Sequence, residues 1–364
     1  MRLSTQLNAG ALRAPRGFQQ LSTLKLISSG LFFSLPFRGV PVFSGMGLTL
    51  MRNIERMAME EAGRLGFSET HLPAIVDEAL LSDGEDVGET FASKLIKVSI
   101  RTGSFQLLAT PEMFLVRQAS RAVLSYRSLP IRVCYNADFF RDMPTTRSFV
   151  TCRQFRVFGM LSMEKDRAGI QRAQDTTGEF EKIFFSRLGL PYRVEAEANG
   201  FETFLELGKG MTGLEHDELS VSMGYHYARE KSIPCRYRTE NNRNRALQVW
   251  TYGISLNRIF LAVLDSARDE LGFALPPHLR PFDVAVVPSR STDEELAWST
   301  YQQLLARRVR PFMDDRSKSS RSERRAFSQY VGCPYTAVVE SGGVLWYKRG
   351  SAKPVPAPDL VAGM

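Results

Sequence analysis

The sequence predicts two folded units, a larger one of mixed helices and strands and a smaller C-terminal α/β domain. The 364 residues are 43% apolar, which is enough to bury a sizeable core in two domains. Three prolines within residues 276–281 stiffen and extend the chain between the units. Beyond this linker, strand patterns alternate with helical patterns, which is typical of a small α/β domain.

The first unit, placed at residues 26–275, begins with apolar residues at helical spacing. Its predicted elements are a helix at 50–65, an extended segment at 68–75, a strand at 104–110, a helix at 111–127 and strands within 205–223. Thr110 is the expected N-cap of the second helix, and Glu112 favours the helix dipole. The basic stretch 236–245 predicts an exposed loop or hairpin, facing either RNA or solvent.

The second unit, placed at residues 281–350, is followed by a tail at 351–364. Its predicted elements are strands at 282–288, 309–314 and 335–340 and helices at 294–308 and 322–330.

The first acidic residue of the chain is Glu55, and several arginines precede it. An acid-free, Arg-bearing segment is typical of a leader for mitochondrial import, and a basic disordered arm is the alternative. We predict that residues 1–25 are a cleaved or disordered leader and that the protein is located in the mitochondrial matrix. The apolar run 26–50 is interrupted by Arg38 and two prolines, so we predict no membrane span.

The chain carries 47 Lys and Arg against 39 Asp and Glu, a formal net charge of +8. This excess favours an anionic partner, RNA before membrane, and a basic surface of no specific use is the alternative. The four cysteines form no Cys-x-x-Cys pair and the four histidines have no ligand spacing. We therefore predict reduced thiols and neither a disulfide framework nor a metal site.

Several short motifs stand in order along the first unit. Residues 140–143 read Phe-Arg-Asp-Met, residues 153–155 read Arg-Gln-Phe and residues 252–258 read Tyr-Gly-Ile-Ser-Leu-Asn-Arg. These resemble the second and third signature motifs of class II aminoacyl-tRNA synthetases. Residues 110–112 (Thr-Pro-Glu) and 126–130 (Tyr-Arg-Ser-Leu-Pro) resemble loops of prolyl-tRNA synthetases in particular.

The resemblance implies an α+β class II synthetase core, an antiparallel sheet flanked by helices, followed by a small α/β anticodon-binding-like domain. In the second unit, Asp-Asp-Arg at 314–316 and Gly-Cys-Pro-Tyr at 332–335 resemble that domain. The helix, strand and Pro73 near residue 70 resemble the family's first motif, which forms a dimer interface, so a homodimer is among the implied assemblies. The stretch between 155 and 252 is too short for the editing insertion of bacterial prolyl enzymes.

The resemblance also implies a reaction in which ATP activates an amino acid that is then transferred to tRNA. Arg141 would contact the α-phosphate, Arg258 would contact the outer phosphates, and Phe155 would stack on the adenine. The residues that the resemblance assigns to ATP are Arg141, Arg153, Phe155 and Arg258, and those that it assigns to the amino acid are Thr110 and Glu112. In such a site, positioning and charge neutralisation carry the rate.

Four departures from the family pattern argue against catalysis. Met143 and Gln154 stand where the family has glutamates, Ser255 stands where it has a glycine, and residues 156–162 lack its acidic residue and histidine. We therefore predict a catalytically degenerate prolyl-tRNA synthetase-like protein that needs no cofactor. It would bind RNA (tRNA or rRNA) or protein in a mitochondrial ribonucleoprotein complex of translation, such as the ribosome. The alternative is an active mitochondrial prolyl-tRNA synthetase that uses ATP and Mg²⁺.

A cluster of basic residues lies in the second unit. It consists of Lys318, Arg321, Arg324 and Arg325. We predict that these four residues bind RNA phosphates, and an ordinary solvated helix face is the alternative.

Overall fold

The computed structural model describes residues 1–6, 12–78, 93–101, 103–121, 124–144, 146, 149–207, 218–227 and 235–359. Its α-helices are α1 (Thr23–Ile27), α2 (Gly45–Arg64), α3 (Glu112–Ser120), α4 (Arg167–Leu188), α5 (Leu256–Ser266), α6 (Glu294–Ala306) and α7 (Arg321–Tyr330). Short 3₁₀ helices span Phe18–Gln20, Tyr126–Ser128 and Ser291–Asp293.

The strands are numbered β1 to β21 in chain order. They are β1 (Phe33–Phe37), β2 (Val40–Phe43), β3 (Ser68–Glu69), β4 (Ile75–Asp77), β5 (Lys97–Ile100), β6 (Gly103–Leu107), β7 (Leu124–Ser125), β8 (Ile131–Phe140), β9 (Gln154–Glu164), β10 (Tyr192–Glu197), β11 (Gly200–Glu206), β12 (Glu218–His226), β13 (Arg236–Arg238), β14 (Asn244–Ala246), β15 (Gln248–Ser255), β16 (Arg268–Asp269), β17 (Gly272–Phe273), β18 (Val284–Pro288), β19 (Pro311–Met313), β20 (Tyr335–Glu340) and β21 (Gly343–Lys348).

The large sheet has seven strands in the order β10-β11-β12-β15-β9-β8-β3. Its neighbours are antiparallel except β3 and β8, which are parallel. Successive side chains of a strand point to opposite faces, so Phe158 and Met160 of β9 join a core with α2, α4 and α5. Val157 and Leu161 of the same strand join a second core that includes Val116 of α3. The sheet is therefore covered on both faces.

The C-terminal domain has a four-stranded sheet in the order β19-β18-β20-β21. The first three strands are parallel and β21 is antiparallel. The three strands and two helices predicted for this domain are confirmed, and β21 is an additional strand. Together with the large antiparallel sheet and its helices, this confirms the predicted fold class.

Part of the segment that we predicted to be a cleaved or disordered leader, residues 1–25, packs against the rest of the chain, and its cleavage stays a prediction. Leu3, Leu12 and Thr23 are each at most 2% exposed. The backbone of residues 1–3 pairs with Met313 at the edge of the C-terminal sheet. The acid-free composition of this segment is compatible with packing because its apolar side chains reach the protein core.

Four further observations bear on the sequence interpretation. The predicted helix 111–127 is shorter, since α3 covers only Glu112–Ser120 and a strand and a 3₁₀ helix follow it. Thr110 is not its N-cap, because Pro111 takes that position and the Thr110 hydroxyl hydrogen-bonds to the Glu112 carboxylate instead. No helix in the described residues is long and apolar enough to span a bilayer. The four cysteines are free and buried.

Candidate functional site

A cavity of about 560 Å³ opens on the face of the large sheet that carries α3. Its walls come from the start of α3, from strands β8, β9, β12 and β15, and from the beginning of α5. The polar and charged residues that line it include Thr110, Glu112, Tyr135, Arg141, Ser220, Ser222, Tyr225, Thr251, Ser255 and Arg258. The structure thus brings together residues that lie as far as 148 positions apart in the chain, from Thr110 to Arg258.

Glu112 is the acidic centre of this cavity. Its residue is 6% exposed, and its carboxylate accepts hydrogen bonds from Tyr225 Oη at 3.1 Å and Thr251 Oγ1 at 2.9 Å. The Thr110 hydroxyl also donates to it. Burial, and then the negative charge of Glu112, raise the pKa of Tyr225 well above its ordinary value. Three hydroxyl groups therefore hold one carboxylate in a fixed position, where it can attract a cationic group.

Two arginines face the same cavity and lie close enough to repel each other. Arg141 donates from Nε and Nη2 to the Ala109 carbonyl at 3.2 and 3.1 Å, and Arg258 donates from Nη1 to the Ser220 carbonyl at 2.6 Å. Burial lowers the pKa of Arg141, which Glu112 opposes. Burial likewise lowers the pKa of Arg258, and the like charge of Arg141 adds to this lowering. An anion bound between the two guanidinium groups would relieve both effects.

The aromatic and apolar side of the cavity carries two of the departures from the family pattern. Phe155 lies beneath the Arg141 guanidinium, with 5.2 Å from Cζ to the ring centroid, and meets Phe139 edge to face. Met143 and Ser255 both line the cavity. The thioether of Met143 is at best a weak hydrogen-bond acceptor, so this part of the wall cannot bind an amino group as a carboxylate would.

The structure places Gln154 and Arg153 outside this cavity. Gln154 lines a second cavity of about 330 Å³, which Phe155 also borders and in which Arg156 is paired with Glu55 at 2.6 Å. Gln154 is therefore separated from Met143 and Ser255, the two departures that line the first cavity. Arg153, predicted to bind ATP, points to the carbonyls of Arg38 and Met143 and to the Asp142 carboxylate instead.

The predicted basic cluster does not form one open face. Arg324 is 6% exposed and donates to the Asp314 carbonyl at 3.1 Å. Arg321 is paired with Glu340, while Arg325 donates to the Ser351 carbonyl and lies over the Tyr347 ring. Lys318 is exposed. The spacing of the four residues on α7 and the loop before it correctly placed them near each other, but the charges of neighbouring strands were not visible in the local sequence.

Sequence reasoning missed the residues that fix Glu112. Tyr225 comes from β12 and Thr251 from β15, so no local motif links them to the start of α3. It also missed Tyr135, which lies opposite Gly159 in the register of β8 and β9. A Cβ at Gly159 would collide with the Tyr135 ring, so glycine is required for the ring to lie across the sheet. The strand pattern around Gly159 was the one available signal, since glycine inside a strand often marks a close approach.

The cavity is a poor match for a divalent metal ion. Glu112 is the one carboxylate among its lining residues in the described part of the chain, and hydroxyl donors already occupy it. Glu202, whose charge acts on Arg258, accepts a hydrogen bond from Ser220 and lies outside the lining. Over the same described residues there is no group of three or more metal-binding side chains.

The chain is similar in sequence to proline–tRNA ligases of several organisms. No family model matches the chain. The proline–tRNA ligase of Thermococcus kodakarensis is 25% identical over 289 residues, which cover 76% of this chain and 60% of that protein. The proline–tRNA ligase of Anaplasma marginale is 22% identical over 368 residues, covering 86% of this chain and 84% of that protein. The chain thus spans less than two thirds of the length of the Thermococcus protein.

Solved structures are similar over nearly the whole chain. Prolyl-tRNA synthetase of Giardia lamblia, in complex with prolyl-adenylate, has a TM-score of 0.76 at 16% identity, over 93% of this chain and 75% of that one. The Cryptosporidium parvum enzyme, complexed with halofuginone and AMPPNP, has a TM-score of 0.73 at 15% identity, over 92% and 74%. The chain thus shares the fold of these prolyl-tRNA synthetases and is similar in sequence to proline–tRNA ligases.

Proposed function

We propose that this protein is a catalytically degenerate relative of prolyl-tRNA synthetases that binds RNA in mitochondrial translation. The observation that carries the proposal is Met143, which lines the cavity beside Arg141 where the family has a glutamate. The cavity keeps groups that attract charged ligands, namely Glu112, Arg141 and Arg258. It lacks a second carboxylate among its described lining residues.

The lack of that carboxylate bears on the chemistry of ATP. Mg²⁺ is usually held by one or two carboxylates together with the substrate phosphates. Glu112 accepts three hydroxyl hydrogen bonds, so its oxygens are poorly placed to take a metal as well. The residues present do not fit Mg²⁺, and we assign no catalytic step to it.

An active proline–tRNA ligase is the second candidate, and one observation favours it. Glu112 and the two arginines lie in one cavity, as a site for a cationic amino group and an anionic phosphate requires. Thr110 and Phe155 are also in place. Proline and ATP would then be the substrates, in keeping with the similarity to proline–tRNA ligases.

Proline-dependent exchange between ATP and pyrophosphate distinguishes these candidates. We expect no exchange above background, and robust exchange at ordinary substrate concentrations would establish the second candidate. The double variant Met143→Glu, Gln154→Glu should not rescue activity. Gln154 faces the second cavity, and residues 156–162, which include Val157 in the wall of the first cavity, still lack the acidic residue and the histidine of the family. The variant Gln154→Glu alone is the matched control, since it adds the same charge outside the main cavity.

Two further proposals concern location and assembly. The acid-free N-terminal composition supports mitochondrial import, and a fluorescent fusion of the first 54 residues should enter the matrix.

The exposed side chains of Leu35, Phe37 and Val42 lie on the β1–β2 hairpin, next to the motif 1 helix α2, and support a homodimer there. A monomeric mass in sedimentation equilibrium at micromolar concentration would remove the dimer from the proposal.

A further inference from the structure

A second group of basic residues lies on a hairpin that the cavity does not use. We call it the basic hairpin, residues 236–246, formed by β13, β14 and the turn between them. The turn is closed by Thr239 and Arg243, whose backbones pair at 2.8 Å, and Asn242 adopts a left-handed φ of 61°. On the other side β13 pairs in parallel with β7. The hairpin is therefore the outer part of a three-stranded sheet.

The basic hairpin is anchored to the body of the protein by one buried ring. Tyr237 is 5% exposed, belongs to the core under α3, and donates from Oη to the Lys165 carbonyl at 3.1 Å. Leu247, just after the hairpin, is fully buried and its amide bonds to the Cys235 carbonyl. This anchoring holds the hairpin in one place, so a ligand that binds it pays little to order the backbone.

The basic side chains of the hairpin are exposed. They are Arg236, Arg238, Arg243 and Arg245. None of them forms an ion pair or a side-chain hydrogen bond with any residue that the structure describes. Glu240 in the turn is the one carboxylate of the hairpin. The local charge is therefore strongly positive.

Two more cations extend this surface beside an aromatic ring. Tyr126 follows Ser125, which pairs with Arg238 in the register of β7 and β13. Arg127 and Lys165 each lie 5.5 Å from the Tyr126 ring centroid. Guanidinium groups interleaved with an aromatic ring are typical of surfaces that bind the backbone and unstacked bases of RNA.

We propose that the basic hairpin, together with Tyr126, Arg127 and Lys165, is an RNA-binding surface whose arginines contact phosphate oxygens. This inference rests on the proposed function in that it assumes an RNA partner, and it specifies where the RNA is held. Arginines suit this role because each guanidinium can donate two parallel hydrogen bonds to one phosphate. An acidic protein segment would match the charge but would make no use of the adjacent aromatic ring.

The test is the affinity of the full chain for fluorescein-labelled, unfractionated tRNA, measured by anisotropy over a series of KCl concentrations. In one variant, glutamine replaces Arg236, Arg238, Arg243 and Arg245. In the control, glutamine replaces four exposed cations elsewhere, Lys25, Arg101, Lys348 and Lys353, so that the net charge changes equally. We expect the hairpin variant to bind about 10- to 100-fold more weakly, with the slope of log K against log[KCl] reduced by about 3. The control should change affinity less than threefold.

Each other outcome is decisive. Equal losses in both variants would overturn the proposal, because net charge rather than the hairpin would then explain binding. If the hairpin variant binds tRNA as tightly as the wild type does, the hairpin is not the RNA-binding surface, and the proposed function is unaffected. Absence of wild-type tRNA binding would overturn both. Displacement of tRNA by polyglutamate at matched charge would favour an acidic protein partner instead. If the fourfold variant does not fold, replacing only Arg243 and Arg245 at the turn tests the same claim.

Discussion

The basic hairpin and the cluster of Lys318, Arg321, Arg324 and Arg325 have the same number of cations and opposite surroundings. In the C-terminal cluster the guanidinium groups are turned to Glu340, to carbonyl oxygens and to the Tyr347 ring. In the hairpin all four are exposed and without partners among the residues described. The comparison teaches that the number of basic residues in a stretch does not measure the charge that it offers to a ligand.

The physical reason is the cost of burying charge. A guanidinium taken out of water must be compensated by hydrogen bonds and opposite charge, and in α7 the neighbouring strands supply them. Such a group stabilises the domain and is unavailable to phosphate. A guanidinium on the exposed hairpin is surrounded by water. An RNA phosphate therefore displaces only water when it binds there, at little cost in free energy.

The largest expected effect distinguishes the two regions by stability. Arg324→Met should lower the free energy of unfolding by about 1 to 3 kcal/mol, because it removes a buried donor to the Asp314 carbonyl. Arg238→Met, on the exposed hairpin, should change it by less than about 0.5 kcal/mol. Urea denaturation of both variants measures this. Equal destabilisation by the two substitutions would break the comparison.

The next effect concerns binding and compares pairs of residues. Replacing Arg243 and Arg245 by glutamine should weaken tRNA binding by about tenfold at low salt, since about two phosphate contacts are lost. Replacing Arg321 and Arg325 in the same way should change it less than twofold, because Arg321 is paired with Glu340 and Arg325 donates to the Ser351 carbonyl and lies over the Tyr347 ring. Anisotropy titrations of the two variants side by side provide the measurement. A larger loss from the C-terminal pair would reverse our assignment.

The smallest expected effect is the pH dependence of stability that the ion pair between Arg349 and Asp269 produces. Arg349 donates to the Gln329 carbonyl of α7 and to the Asp269 carboxylate, and its hydrogen bond holds the pKa of Asp269 below the ordinary value. A carboxyl with a lowered folded pKa adds stability above its unfolded pKa, about 3.9, and loses it as pH falls through the folded value. The stability difference between wild type and Asp269→Asn should therefore shrink as the pH is lowered below about 3.9 and disappear once Asp269 is protonated in the folded protein. A difference that persists there would show that Asp269 acts by packing alone.

The sequence predicted elements better than contacts. The strands and helices of the C-terminal domain follow from local apolar patterns, and the basic stretch 236–245, predicted as a loop or a hairpin, forms a hairpin. The burial of Leu3 and Leu12 could not be predicted from the sequence, because an acid-free composition is compatible both with a leader and with an apolar segment that packs on the protein. The link between Glu112, Tyr225 and Thr251 could not be predicted either, since three distant segments meet only through sheet register.

Within the site, the family motifs located Arg141, Phe155, Arg258, Thr110 and Glu112 at one cavity. Gln154 and Arg153 lie outside that cavity, since adjacent residues of a strand point to opposite faces and Arg153 lies just before β9. The motifs therefore predicted the approximate position of each residue in the fold. The direction of its side chain depends on the strand geometry, which the motifs do not specify.

The most direct test of the central claim is the site of contact with RNA. Full-length protein would be bound to 4-thiouridine-substituted tRNA, irradiated and digested, and the crosslinked peptides would be identified by mass spectrometry. We predict adducts at Tyr126, whose ring lies next to Arg127 and Lys165, and within the basic hairpin, whose arginines are exposed. Crosslinks confined to residues 316–325, with none at the hairpin, would contradict the account.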